Sequence, residues 1–446
     1  MGKTIFSEQD REQIQEHGLR VEDVEAQLAL FRKGFPPPRL VRPCTPGDGI
    51  LRLSEQEHSE LMALYEGAAR EGRAMKFTPA SGAATRMFRS LVRALQEFPR
   101  LFVEEKPLDS ADHQAVEDVQ RLLDNLERFA FYEDLSRMLA RDGLDLRQLK
   151  QQGQVEPILR YLLTDQGLGY AHLPKALIKF HAYPEGARTA LEEHLVEGLG
   201  FLPDAHQVAR FHFTVPASHR EEITRFVEAV RPRYENQRYR IQVAYSVQSP
   251  ATDVIAVDFN NQPVRDAGGR LVFRPGGHGA LLQNLNALQG DLVFVKNIDN
   301  VVPDRLKPEV ILYKKLLGGY LVKIQGQVFD LLNQLENGPE RPAVVHRALE
   351  FVEEVLQLPL PPALAGMSLQ EKHRYLWQLL NRPIRVCGMV PNAGEPGGGP
   401  FWVQEQDGTL SRQIVEQAQV NLNDPGQKQI WQSSTHFNPT DMVLGV

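Results

Sequence analysis

Three groups of residues in this 446-residue chain have the types and spacing to handle a phosphorylated ligand. The first is the turn Gly276, Gly277, His278 and Gly279, directly before ALLQNLNAL (280–288), whose apolar spacing is helical. Glycines lack a Cβ and let the backbone turn sharply or approach a ligand, while a helix start offers free N–H groups to an anion. The second is Asp299, just past LVFVKNI (292–298), an apolar run suited to a strand buried on both faces. Open α/β sheets bind ligands beyond the carboxyl ends of their strands, so a carboxylate there is placed to hold a divalent cation. Asp299 and Asn300 are equally suited to cap a helix in DNVVPDRLKPEV (299–310).

The third is the loop PASGAATRM (79–87). Its small residues Ala80, Ser81, Gly82, Ala83, Ala84 and Thr85 let amides face a ligand, and Arg86 offers a planar fork suited to phosphate oxygens. The Gly-Lys-Ser/Thr ending of a Walker loop is missing. Each group alone has an ordinary structural explanation as a turn, a cap or a surface arginine. Their succession at strand–helix spacing points to a nucleotide or phosphate site.

These residues need a scaffold. Short strands are expected near AMKF (74–77), ARFHFTVP (209–216), RIQVAYSVQ (240–248) and LVFVKNI, with helical patterns between them. That alternation predicts an α/β core with a Rossmann-like, mixed and mostly parallel sheet over residues 76–310. A helical insertion at about 96–170 interrupts it. DVIAVDFNNQPVRDAGGRLVF (253–273) reads as a hairpin with turns at Asn260-Asn261 and Gly268-Gly269. Residues 1–75 form a helical cap crossed by a Pro-rich connector, FPPPRLVRPCTPGDG (35–49). Residues 311–380 are helical, and 381–446 supply C-terminal strands with a glycine-rich segment at 394–399 that reads as a lid. His206, His212 and His219 match no common zinc spacing and are read as incidental.

Composition narrows the partners. The apolar and charged fractions of 42% and 24% are ordinary for a globular protein of more than one unit. A net charge of −7 without a Lys/Arg stripe argues against nucleic acid. Two cysteines, Cys44 and Cys387, fit a reducing compartment. There is neither a signal-peptide pattern nor a bilayer-length apolar run, so a cytoplasmic protein without a membrane partner is expected.

With these residues in view, the chain resembles the sugar-nucleotide pyrophosphorylases, most closely the UDP-N-acetylhexosamine and UDP-glucose types. It is also identified as a member of a bacterial family known as domain of unknown function 4301. The 79–87 loop is similar to the pyrophosphorylase nucleotide loop, although Ser81 and Ala84 stand where that family has glycines. Pro174-Lys175 looks like its Pro-Lys, here displaced by the insertion, and Gln248 before Pro250 resembles the glutamine that contacts uracil. Gly276 to Gly279 resembles its glycine motif, and Asn297-Ile298-Asp299-Asn300 its metal-binding Val-Asp-Asn. More loosely, Val415-Glu416 and the late Asn438 resemble its sugar-side residues, and the chain ends before the distal lysine of that family.

The resemblance implies a nucleotide-diphospho-sugar transferase fold of GT-A type, UTP and a sugar 1-phosphate as substrates, and Mg²⁺ on Asp299. It implies catalytic roles for Arg86 and Lys175, which must then meet around one triphosphate. Residues 80–85, Gln248 and Gly276–Gly279 would bind the nucleotide, and Asn300, Glu416 and Asn438 the sugar. Two other functions stay open on the same scaffold: a non-catalytic nucleotide-sugar binder, and a glycosyltransferase, whose usual Asp-x-Asp is missing at Asp299-Asn300.

Overall fold

Alternation of side chains along a strand decides which residues of this protein face its helices. In Ala74–Pro79 (β1), Ala74, Lys76 and Thr78 share one face; in Leu292–Lys296 (β4), Leu292, Phe294 and Lys296 do. The two strands pair in parallel from Leu292↔Ala74 to Val295↔Phe77. Val208–Thr214 (β2) lies parallel on the other side of β1, and Arg240–Ser246 (β3) parallel beside β2. Asp441–Gly445 (β6) runs antiparallel beside β4 and carries Ile384–Cys387 (β5) antiparallel at the sheet edge. The order is β5-β6-β4-β1-β2-β3, with only β6 reversed. The computed structural model describes residues 5–82, 84, 87–103, 107–337, 341–394 and 397–446.

Both faces of the sheet are covered, as a parallel sheet requires. Phe211, Phe213, Leu292 and Phe294 pack with Tyr65 of Glu55–Arg70 (α1), Leu191 and Leu195 of Ala190–Leu199 (α2), Val227 of Arg220–Glu235 (α3) and Leu321 of Lys307–Glu336 (α4). On the opposite face Phe77 and Val293 meet Leu281, Leu285 and Leu288. The helices between Arg89 and Leu163 build an apolar cluster of their own around Leu126, Leu135, Leu139, Ile158 and Leu162. The segment 254–273 folds back twice, with turns at 258–262 and 266–270 where Asn261 and Gly269 take positive φ.

The first 75 residues do not form one cap. Ile14, Val24 and Leu28 of the first two helices pack on Ile255 and Leu271 of that ribbon. Part of the Pro-rich connector, Arg39–Pro43, pairs as an edge strand with Gly399–Gln404, where proline is tolerated. The third piece, α1, lies across α4. Amphipathic patterns identify helices but not the apolar surface each one finds.

Glycine sets the α1–α4 approach. A Cβ on Gly319 would lie 2.0 Å from the Leu61 carbonyl oxygen, and one on Gly318 2.5 Å from the Tyr65 ring. Gly326, on the same helix, has nothing within 4 Å of its Cβ position. Gly319→Ala is therefore expected to destabilise by about 1–3 kcal/mol through overpacking. Gly326→Ala should stabilise by up to about 1 kcal/mol, the ordinary helix effect. Urea unfolding of the two variants checks this. Equal stabilisation of both would show that the crossing is looser than described.

Candidate active site

The four parallel strands end at Pro79, Thr214, Ser246 and Lys296, and three of them are followed directly by the loop that begins at Ala80, by Gln248 and by Asp299. The chain order on the sheet reverses between β1 and β4, the place where open α/β sheets form a ligand crevice. Here the residues separated by the helical insertion come together. The Lys175 amide donates to the Gly82 carbonyl at 3.2 Å, and the Ala84 amide donates to Leu173 O at 3.2 Å. The Lys175 ammonium forms an ion pair with Asp299 Oδ2, joining the two sides of the crevice.

That pairing removes the capping alternative for Asp299. The next helix, α4, starts at Lys307 behind a short turn over Asp304–Leu306, and no side chain caps it. Asp299 instead faces a cation. Its Oδ1 accepts no hydrogen bond among the described residues, and neither does the buried Oδ1 of Asn297 on the same loop.

The 79–87 loop differs in detail from the expectation. Ala80 donates its N–H to Thr214 O at 2.8 Å, and Ala84 is committed to Leu173, so these two buried amides are closed to a phosphate. Ser81 and Gly82 are the loop residues of the described set whose amides stay uncommitted. Ala83, Thr85 and Arg86 lie outside the described residues, as does the side chain of His278.

The glycine turn is also used differently. No positive φ occurs at Gly276, Gly277 or Gly279. Gly276 is there for close approach: a Cβ would fall 2.7 Å from Thr252 O, whereas Gly277 and Gly279 border open space. Gln248 holds the turn, donating from Nε2 to Gly276 O at 3.2 Å and to Thr252 Oγ1 at 3.3 Å, which leaves its Oε1 as an acceptor. The helix behind the turn is one 3-10 turn and then Leu282–Asn286, too short for a sizeable dipole. Asn284 anchors it, donating to Ser246 Oγ (2.9 Å) and Val247 O (3.0 Å). His212 Nε2 sits 2.8 Å from the same Oγ, which gives this histidine a packing partner at the end of β3.

Of the residues expected to meet a sugar, Asn300 donates to Pro439 O and so ties the Asp299 loop to the C-terminal tail. Asn438 is not available to a ligand. Its Nδ2 donates to Gly388 O at 2.7 Å and its Oδ1 accepts Thr440 N at 2.9 Å, because the chain must turn there into β6. Glu416 is exposed and begins a short turn beside Gly398, which bridges Asn438. Gly398 is packed, its Cβ position 2.5 Å from Ile414, whereas Gly394 borders open space, so the segment expected as a lid is anchored at its Gly398 end. An open hollow of about 610 Å³ over Gln417–Asn423 adjoins Glu416, and none of the carboxyl-edge residues lines it.

The family described as Domain of unknown function (DUF4301) matches residues 7–446. The chain belongs to that family. A comparison with curated proteins finds no match. Among solved structures, this DUF4301 chain is similar to the uridine diphosphate N-acetylglucosamine pyrophosphorylase of Trypanosoma brucei, with 13% identity and a TM-score of 0.42. A UDP-glucose pyrophosphorylase of Leishmania major, solved with UDP-glucose, gives 11% and 0.39. The matches cover 98% and 100% of this chain but 62% and 64% of those proteins. At such values the activity of the DUF4301 chain has to be argued from its own residues.

Beneath the crevice lies a set of charges that motif reasoning left aside. Lys76, Lys296 and Lys314 are buried around Glu197 and Asp441. Glu197 takes Lys76 Nζ at 2.8 Å and Lys296 Nζ at 2.6 Å, and Asp441 pairs with Lys314. Burial, reinforced by the Lys314 and Lys296 ammonium groups, pulls Lys76 down to about 7 despite Glu197. Burial pushes the Glu197 carboxyl up, but Lys76, Lys296 and Lys314 hold it well below its usual range. His194, one turn earlier on α2, places Nε2 3.1 Å from the carbonyls of Asn297 and Ile298 and steadies the loop that carries Asp299. Burial keeps that ring neutral. The signal in the sequence is a lysine inside each of two otherwise apolar strands.

Proposed function

We propose that the protein is a nucleotidyltransferase that forms a UDP-sugar and pyrophosphate from UTP and a sugar 1-phosphate, on a GT-A-type sheet. The observation that carries this reading is the convergence of Lys175, the 80–84 loop and Asp299 at the reversal point of the sheet. An in-line displacement at phosphorus needs positioning and charge neutralisation rather than a covalent nucleophile. A sugar 1-phosphate oxygen forms the new bond to the α-phosphorus as the bond to the β-phosphate oxygen breaks.

Lys175 would leave Asp299 for the α-phosphate, the Ser81 and Gly82 amides would face the phosphates, and Arg86 would steady the departing pyrophosphate. Mg²⁺ suits the oxygen donors present, since it takes one or two carboxylates together with substrate phosphates. Asp299, with Asn297 as a candidate neighbour, would hold it. When bound it would supply charge neutralisation between nucleotide and sugar phosphate. Gln248 offers its Oε1 to the uracil N3–H, and its amide protons would have to exchange Gly276 O for uracil O4.

The test is pyrophosphate release over a panel of nucleoside triphosphates and sugar 1-phosphates with Mg²⁺. Turnover with UTP is expected, and binding without pyrophosphate release would make the protein a nucleotide-sugar binder instead. Gln248→Ala should weaken UTP binding about tenfold while leaving GTP unchanged, because a base-reading hydrogen bond is lost. Equal affinities of the parent protein for UTP, GTP and ATP in calorimetry would end the uracil assignment.

A further inference from the structure

The hairpin Lys179–Tyr183 with Gly186–Thr189 follows the Lys175 turn directly. It packs on Glu193, a fully buried carboxylate of α2 with both oxygens engaged. Oε1 lies 3.0 Å from His181 Nδ1 and accepts the Tyr183 hydroxyl at 2.7 Å, while Oε2 accepts the Lys307 ammonium. An ionised carboxylate only accepts, so it fixes the proton of His181 on Nδ1. In the neutral ring that leaves a bare lone pair on Nε2. Nε2 has no partner among the described residues and is not among the buried unpartnered atoms, and the side chain keeps 21% of its surface exposed. A carboxylate hydrogen-bonded to one ring nitrogen fixes the orientation of an imidazole whose other nitrogen is open.

The place of the hairpin follows from its ties to the sheet. Gln248 comes after β3, at one edge, and the phosphate crevice lies between β1 and β4. The hairpin is tied to the chain just past Asn300: Tyr183 Oη accepts Asp304 N at 3.2 Å, and Arg188 donates to Asp304 Oδ1 at 2.8 Å. The hairpin is therefore anchored on the β4 side of the crevice, away from Gln248 at the β3 edge, and that is the side on which the acceptor of a transferred nucleotidyl group would lie. A lone pair backed by a carboxylate repels phosphate and attracts a hydroxyl. We propose that His181, aimed by Glu193, accepts a hydrogen bond from a hydroxyl of the acceptor sugar. The identity of that hydroxyl bearer rests on the nucleotidyl-transfer reading above.

Two variants and two readouts test it. His181→Asn places an amide near Nδ1 and keeps a donor to Glu193 while removing Nε2. It should raise the KM for the sugar 1-phosphate about tenfold with the KM for UTP unchanged. His181→Gln, with its amide near Nε2, should recover part of the loss. An unchanged sugar 1-phosphate KM in a folded, active His181→Asn protein overturns the proposal. In the parent protein, the ¹⁵N resonance of His181 Nε2 should move on adding a sugar 1-phosphate and not on adding inorganic phosphate. If no sugar 1-phosphate supports pyrophosphate release, the nucleotidyl-transfer reading fails and the resonance alone decides: a shift with the sugar 1-phosphate only sustains the hydroxyl contact, and no shift removes it.

Discussion

Asp299→Ala is expected to lower pyrophosphate-forming turnover at least a hundredfold while leaving the protein folded. The carboxylate faces Lys175 across the crevice, and its Oδ1, without a hydrogen bond among the described residues, is the oxygen that the proposed cation would take. Loss of one ligand that helps bridge two phosphates removes several kcal/mol of transition-state stabilisation, and each 1.4 kcal/mol is about tenfold in rate. Stability should hardly change. The Lys175 and Asp299 side chains are 25% and 34% exposed, so solvent screens the pair and its removal costs roughly 0–1 kcal/mol. Asp299→Asn, which keeps the shape and removes the charge, should fail in the same way. Rates measured across a Mg²⁺ titration, beside thermal melts of each variant, separate the two effects. Unchanged kinetics in both variants would leave Asp299 as a partner for Lys175 and nothing more.

That expectation was within reach of the sequence because its parts are local. An apolar run ending in Asp299 and a small-residue loop after a short strand are patterns within a few residues, and the sheet places both at its carboxyl edge. Other features depend on register or on distant partners. The stretch STHFNPTDMVLGV (434–446) reads as a polar, strand-like tail, yet its β6 enters between β5 and β4, and turning into it occupies the Asn438 side chain. Gly276 needs its missing Cβ because of Thr252, more than twenty residues away. Glu193 in the first turn of α2 and Glu197 near its end are residue types that helices usually leave to solvent, and only the folded chain brings Lys307, Lys76 and Lys296 to them. Lysines at 76 and 296 are near enough in sequence to assist the site and read equally well as solvent-facing or ion-paired residues until the strand faces are assigned. Period-two alternation then puts both on the face that carries Ala74, Leu292 and Phe294.

The charge count of that buried set leads to a second large effect. Three ammonium groups surround two carboxylates, so one positive charge is in excess when all are ionised. Glu197→Gln would leave Lys76 and Lys296 with only Asp441, 3.8 Å from Lys296 and already paired with Lys314. Breaking a buried pair by removing one partner costs about 3–5 kcal/mol, because an uncompensated charge stays inside. Lys76→Met is the opposite case. It removes the excess cation, keeps Lys296 on Glu197 and Lys314 on Asp441, and fills a similar volume, so it should cost less than about 1.5 kcal/mol. The two differ in pH dependence as well. Lys76 has its folded value lowered to about 7, so folding is penalised once the unfolded chain is protonated and the folded one resists it. The penalty is absent above the unfolded lysine value, grows as pH falls toward 7, and is complete below it. The stability of Lys76→Met relative to the parent should therefore decline as pH rises from 7 to 10. Urea unfolding of parent, Glu197→Gln and Lys76→Met at pH 7 and pH 9 measures all of this. Equal destabilisation by the two substitutions, with no dependence on pH, would mean that the buried charges are balanced by something other than each other.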